Sequence, residues 1–371
     1  MVDQFKRYIQ NLPGKSTDRQ LLVIESDDWG SIRMPSAAVI QDLQRLGGKP
    51  ENDPYLKFDS LASESDLQAL FEVLTSVNDS QGRPAVLTAN SVMANPDFEK
   101  IQKNGFEQYL WEPFTETLKR YPSHSGSFDL WREGMDNKIF RPQYHGREHL
   151  NVYQWMEGLR SEDYWLSRAF ERQMISVSSE PSKMRFGYME GLDFFSTEEQ
   201  GNKGEILEQG MEVFRKLFGY TSLSFIANCY IWDFSIEKSL HTMGVKYLQG
   251  ITNQLVPILD DDGTHRHVYK SHYFGQKNTL GQRYLIRNAF FEPSLDPQFD
   301  WVSDCLKRIK IAFHCKKPAI IGSHRLNYIG FIEESNRTKN LAQLKILLKE
   351  IVKCWPKVEF IASDELDTIW D

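Results

Sequence analysis

Two adjacent carboxylates, Asp27 and Asp28, end the apolar run in LLVIESDDWGSIR, residues 21–33. Two negative charges a few ångströms apart repel, and a cation or hydrogen-bond donors must offset that repulsion. One reading is a helix N-cap followed by a turn, since Asp favours both. The other is a metal ligand beside a base. Much later, FRPQYHGREHLNVYQW places His145 and His149 four residues apart. Residues at that spacing share one face of a helix, so a helix starting near His145 brings both imidazoles within reach of one ion. Gly146 weakens its first turn. Asp28, arriving from elsewhere, would complete a His₂-carboxylate set with room for water, the plan of a hydrolytic zinc site. A third polar group follows the run PAIIGSHR: His324, whose ordinary pKa near neutrality suits a general acid. As isolated residues, these histidines read equally well as surface or hydrogen-bonded structural groups.

The same HGREH stretch fits a second chemistry. H-x-x-E-H is the inverted zincin pattern, in which Glu148 is the base and a downstream glutamate, Glu205, Glu208 or Glu212, the third ligand beside His145 and His149. That metallopeptidase reading leaves SDDWG and SHRLNYIG unexplained and ranks second.

The elements that must position these groups are short β-type runs alternating with helical patterns. Strands are expected at 21–26, 84–89, 138–144, 222–227, 245–250, 284–291, 319–324 and 358–363. Helices are expected at 64–77, 107–119, 150–173, 203–217, 234–243, 297–313 and 336–353. In the last, Leu341, Leu344, Leu347, Leu348 and Ile351 form an apolar stripe. Such alternation implies α/β architecture with a parallel sheet, and around eight units suggest a barrel. Polar residues recur where strands end: Asp27, Asp28, Thr88, Asn90, Asn228, His324, Ser363 and Asp364. In a barrel that rim is where function gathers, which favours the metal-and-base reading of Asp27 and Asp28. FIANCYIWD adds Tyr230 and Trp232, either core aromatics or a sugar-stacking wall. YLIRNAFFEPS adds Arg287, Asn288 and Glu292, an ion network on its face.

The whole chain narrows the classes. It has 371 residues, 40% apolar and 26% charged, the profile of an ordinary soluble globular protein. Net charge is −7, against nonspecific binding to nucleic acid or an anionic membrane. Nine Trp and 13% aromatics suit either a packed core or sugar-binding faces. The cysteines, Cys229, Cys305, Cys315 and Cys354, form no C-x-x-C pair, and their sparse use fits a reducing compartment. The N-terminus carries no apolar h-region and no run reaches membrane-span length, so a cytoplasmic location is expected.

In this order, E-S-D-D at 25–28, H-G-R-E-H at 145–149, A-N-C-Y at 227–230 and S-H-R at 323–325 resemble the motifs of the NodB-like polysaccharide deacetylases, of the glycoside hydrolase/deacetylase superfamily. The matched stretches span most of the chain. The resemblance implies a distorted TIM-like (β/α)7-type barrel, one domain over 1–371 with a helical insertion around 90–137. It implies a hydrolase that removes an N- or O-acetyl group from a sugar or glycan. It gives Asp27 the base position, Asp28, His145 and His149 the metal positions, Tyr230 the aromatic whose backbone N–H holds the oxyanion, and His324 the acid. One divalent ion is expected, zinc first, with cobalt, nickel or iron also suited to His₂-Asp. Trp29, Trp232 and Arg325 are the expected substrate contacts. Two departures stand out. Gly146 replaces a Ser or Thr, and Ala227 stands where the family's base-orienting Arg lies, a role Arg147 or Arg325 could take. The carboxylate that tunes the acid His has no assignment. The missing Arg motivates a third reading, a degenerate barrel that binds glycans without hydrolysis.

Overall fold

The computed structural model describes residues 2–177 and 184–370, with the side chains of 2 and 3 left aside. Each apolar run named above forms a strand. Gln20–Trp29 pairs in parallel with Leu87–Ser91 on one side and Ala319–His324 on the other. Leu87–Ser91 pairs with Phe140–Tyr144, then Ser224–Ile226, then Tyr247–Gly250, then Arg283–Ile286, all parallel. The sheet then returns on itself. Arg283–Ile286 pairs with Tyr247–Gly250, while Ala289–Phe290, two residues on, pairs with Ala319–His324. Residues 283–290 thus act as one interrupted strand that closes a distorted (β/α)7-type barrel. Val358–Phe360 pairs with the start of the first strand, below Leu87–Ser91.

Alternation along the strands sorts the side chains. Leu21 and Val23 pack with Tyr247, Leu285 and Ile320 in one cluster, whereas Leu22 and Ile24 pack in the larger cluster shared with the helices. Leu21, Val23, Leu285 and Ile320 therefore fill the barrel interior. Glu25, Asp27, Arg287 and His324 continue the same alternation toward the C-terminal rim. An apolar floor thus carries a polar upper layer, built from the same strands.

The helices cover the outside. Glu334–Cys354 buries Leu341, Leu344, Leu347, Leu348 and Ile351, as its periodicity predicts. Glu64–Leu74 starts at a capping box between Ser63 and Asp66. The expected helix 150–173 is two, Val152–Arg160 and Tyr164–Glu171, broken at Glu162, which has a positive φ of 55°. The expected 107–119 helix shortens to Phe114–Lys119, because Trp111–Pro113 pairs with Ala94–Pro96 as a small hairpin. Residues 92–139 hold this hairpin and the helices Phe98–Lys103, Phe114–Lys119 and Ser127–Asp136. Asn253–Leu259 and His265–Ser271 form an antiparallel hairpin that the sequence reading did not anticipate. No helix among the described residues is long and apolar enough to cross a membrane.

Candidate active site

The register of the first strand fixes the first relationship: Asp27 lies opposite His324 in a parallel pair. Parallel partners direct their side chains to the same face, and His324 Nε2 stands 3.8 Å from Asp27 Oδ2. After Asp27 the strand breaks step. Its register against Leu87–Ser91 shifts between Ser26 and Trp29, and Asp28 adopts a φ of 74°. That bulge lets consecutive aspartates face one rim instead of opposite sides of the sheet. A non-glycine residue held there carries backbone strain.

Asp27 is gripped by Arg287, whose Nη2 and Nη1 donate to Oδ1 and Oδ2 at 2.6 and 2.7 Å. Asn90 Nδ2 donates to Oδ1 at 2.8 Å. Arg287 Nε serves Glu25, one layer deeper, at 2.7 Å. Burial alone would raise the Asp27 pKa; the Arg287 charge and hydrogen bonds overcome it and bring it down to about 2. Glu25 ends above its ordinary value, because burial outweighs its share of Arg287. The stem of Arg287 passes over Gly322, where an added Cβ would lie 2.7 Å from its Cδ. Arg287 is the arginine that contacts Asp27. The two arginines proposed from sequence are committed elsewhere: Arg147 to Glu148 at 2.7 Å, Arg325 to Asp59 at 2.8 and 3.0 Å.

Asp28, His145 and His149 come together. Asp28 Oδ1 is 3.5 Å from Nε2 of each histidine, and all three residues are buried. Ligand atoms about 2.1 Å from a tetrahedral ion lie ~3.4 Å apart, so these separations suit one ion. The His145 Nδ1 donates to Ile226 O at 2.8 Å, which leaves a lone pair on Nε2, a buried atom with no hydrogen-bond partner. Burial lowers the His149 pKa to about 3, keeping that ring neutral. Burial opposes the charge of Asp28, but the Arg33 charge, helped by a hydrogen bond with His145, holds its pKa well below the usual range. Arg33 Nη2 binds Oδ2 at 2.9 Å and leaves Oδ1 for an ion. This buried Asp/His/His group could hold a metal ion. The histidines reach it from a loop, not a helix. Gly146 has a φ of 108° and the helix starts only at Val152, capped by Asn151.

His324 Nδ1 bonds Glu292 Oε1 at 2.6 Å, which supplies the tuning carboxylate. Burial works against the imidazolium, yet Glu292, then Asp27 and Asp28, push the His324 pKa up to about 9. Tyr55, from the short helix Pro54–Phe58, sets its ring edge-on to His324 at 5.6 Å. Tyr230 reaches the site through its hydroxyl, which accepts from Arg287 at 3.2 Å. Its backbone N–H is spent on Ala227 O at 3.1 Å, in a turn where Cys229 and Tyr230 both have positive φ.

Three expected substrate contacts are corrected. Trp29 is a core residue, 1% exposed, edge-on to Phe140 and Trp131, with Nε1 donating to Ser26. Trp232 is equally enclosed, its Nε1 donating to Glu237 and its ring stacked on His272. Arg325 is a fully buried strut that joins Asp59 to Ser31 O. Sequence reasoning missed Arg33, Tyr55 and Asp59 altogether. It noted Arg287, Glu292 and Asn90 without giving them their roles. Their signal was position: Arg287 and Glu292 lie on the same closing segment.

No protein-family model and no curated protein matches the sequence. Solved structures do match. A glycoside hydrolase/deacetylase candidate from Parabacteroides distasonis is 9% identical, with 96% of this chain and 72% of that one covered, at a TM-score of 0.51. A polysaccharide deacetylase candidate from Pseudomonas aeruginosa PAO1 is 10% identical over 95% and 91%, at 0.47. A 4-alpha-glucanotransferase from Thermococcus litoralis is 9% identical at 0.47, and this chain spans only 40% of its length. At such identity the likeness is one of fold alone, a distorted (β/α)7-type barrel.

Proposed function

We propose that this chain is a metal-dependent carbohydrate deacetylase, a hydrolase that removes an N- or O-acetyl group from a sugar or polysaccharide. One observation carries the proposal. Asp28 lies 3.5 Å from both His145 and His149 while its neighbour Asp27 pairs across the strands with His324. A divalent ion held by Asp28, His145 and His149, zinc by preference, would acidify an attacking water and polarise the acyl carbonyl, as a base as weak as Asp27 requires. Asp27, fixed in place and in charge by Arg287, accepts the proton of that water. His324, charged at neutral pH, donates a proton to the departing amine or alkoxide. Arg33 keeps Asp28 turned toward the histidines.

The rival readings lose their motive. Arg287 provides the orienting cation whose absence suggested a binding module. Glu148, the base of a metallopeptidase, is buried against Arg147, and Asp28 rather than Glu205, Glu208 or Glu212 joins the histidine pair. The cysteines are free, in keeping with a cytoplasmic location.

The test is metal content and acetate release from a panel of acetylated sugars, with Zn²⁺ or Co²⁺ supplied. Wild-type protein should release acetate, and Asp28→Ala should lose both the ion at this site and the activity. Tight glycan binding without release under any metal would instead make the barrel a binding module. Metal retained by Asp28→Ala, with activity lost in Glu148→Gln, would return the assignment to a peptidase.

A further inference from the structure

Away from that centre, a second set of metal-ligating side chains converges. Asp193 lies on the loop before the helix Thr197–Phe218, and His265 and His267 lie on the second strand of the hairpin 253–271. Two residues apart on a strand, the histidines share a face. Asp193 Oδ1 meets His265 Nε2 at 2.8 Å, and Oδ2 meets His267 Nε2 at 3.0 Å. Asp193 is wholly buried, and the histidine side chains are 13% and 16% exposed. Phe195 shields the His265 ring at 4.3 Å.

A buried carboxyl borders the cluster. Glu190, three residues before Asp193, is 0% exposed, and its Oε2 has no hydrogen-bond partner. Its other oxygen accepts from the Phe186 N–H. Burial raises the pKa of that carboxyl to about 8, and Asp193 beside it adds to the rise, so Glu190 stays protonated at neutral pH.

We propose that Asp193, His265 and His267, whose ligand atoms all lie within 4.8 Å of one another, form a second divalent-cation site of the zinc class. Two imidazoles and a carboxylate are donors that zinc accepts. Without an ion, Asp193 bridges the two Nε2–H groups by hydrogen bonds. With it, each imidazole presents an Nε2 lone pair and carries its proton on Nδ1.

The consequence is mechanical. The ion would tie the hairpin to the segment 184–195, and Phe186, Tyr188 and Met189 of that segment wall the groove beside Arg33 and Tyr55. Asn151, at the start of the helix Val152–Arg160, anchors the same segment by donating to Glu190 O and Asp193 O. The site would set the shape of the approach to Asp28 without touching the reacting atoms.

The full chain, stripped with chelator and reloaded with Co²⁺ or Zn²⁺, provides the test by metal analysis after dialysis. Wild type should retain two equivalents, Asp28→Ala one, His265→Ala/His267→Ala one, and the combination none. Zn²⁺ should raise the Tm of Asp28→Ala but not of the combined variant. Circular dichroism reports folding, and His265→Gln/His267→Gln substitutes for an alanine pair that fails to fold. A wild-type chain holding one ion that Asp28→Ala abolishes overturns the proposal. So does unchanged loading after both histidines are replaced. The Asp28 arm reports on the active site alone, so the two readings fail independently.

Discussion

Arg287 holds Asp27 through two parallel hydrogen bonds of 2.6 and 2.7 Å and Glu25 through a third of 2.7 Å, so one guanidinium serves two stacked carboxyls inside the barrel. Bidentate Arg–carboxylate geometry fixes orientation as well as charge. The two residues are 260 positions apart in the chain.

Replacing that arginine should separate positioning from folding. Arg287→Lys keeps a charge but not the fork, and kcat should fall about 10²-fold with metal content unchanged. Arg287→Ala leaves two buried carboxyls unpaired and should cost about 3–5 kcal/mol. Acetate-release kinetics, metal analysis and urea denaturation read the three quantities.

Gly322 should be intolerant for the same reason. Gly322→Ala sets a Cβ 2.7 Å from Arg287 Cδ, so the arginine stem must move. A loss of about 1–3 kcal/mol is expected, with a drop in kcat and little change in KM. Wild-type kinetics in this variant would show that the stem has room to shift.

His324 should govern the alkaline limb. Its pKa is raised to about 9, chiefly by Glu292 working against burial. The protonated acid therefore persists through neutrality, and kcat should decline as pH rises through about 9. Its contribution to stability is fully present below the ordinary value of ~6.5 and is lost as pH rises toward 9. Glu292→Gln should move the kinetic limb downward and flatten stability over that interval. pH–rate profiles paired with denaturation at each pH check both.

Asp27 acts at the opposite end. Its pKa is lowered to about 2 because Arg287 outweighs burial. Its stabilising contribution is complete above ~3.9 and is lost as pH falls toward 2. Asp27→Asn should weaken the pH dependence of stability in that window and cut kcat, with the ion retained. Acid titration followed by fluorescence, with metal analysis, distinguishes this from simple unfolding.

Trp232 should behave as core. Trp232→Phe removes the hydrogen bond to Glu237 and should cost about 1–2 kcal/mol. KM for an acetylated sugar should be unchanged. A KM that rises several-fold at constant stability would restore the stacking role.

The sequence determined the strands, the motif residues and the apolar stripe of the helix 334–354, because these depend on local periodicity. Eight apolar runs became nine strand segments, and Asp27, Asp28, Asn90 and His324 stand together on one rim, with Thr88 and Ser363 a layer below beside Glu25. The His145–His149 spacing was legible, but the helix expected beneath it was not formed: Gly146 takes a positive φ and delays the helix. Whether Trp29, Trp232 and Arg325 face a ligand or the core was not encoded in their neighbours, since burial depends on what packs from elsewhere. Only the tertiary structure decided that Arg287 grips Asp27, that Glu292 pairs with His324 and that Arg33 binds Asp28. These pairings arise where residues 283–290 close the sheet against Ala319–His324 and the loop after Asp28 folds over the rim. Electrostatic partnership falls steeply with distance in space, and spacing along a chain does not report that distance.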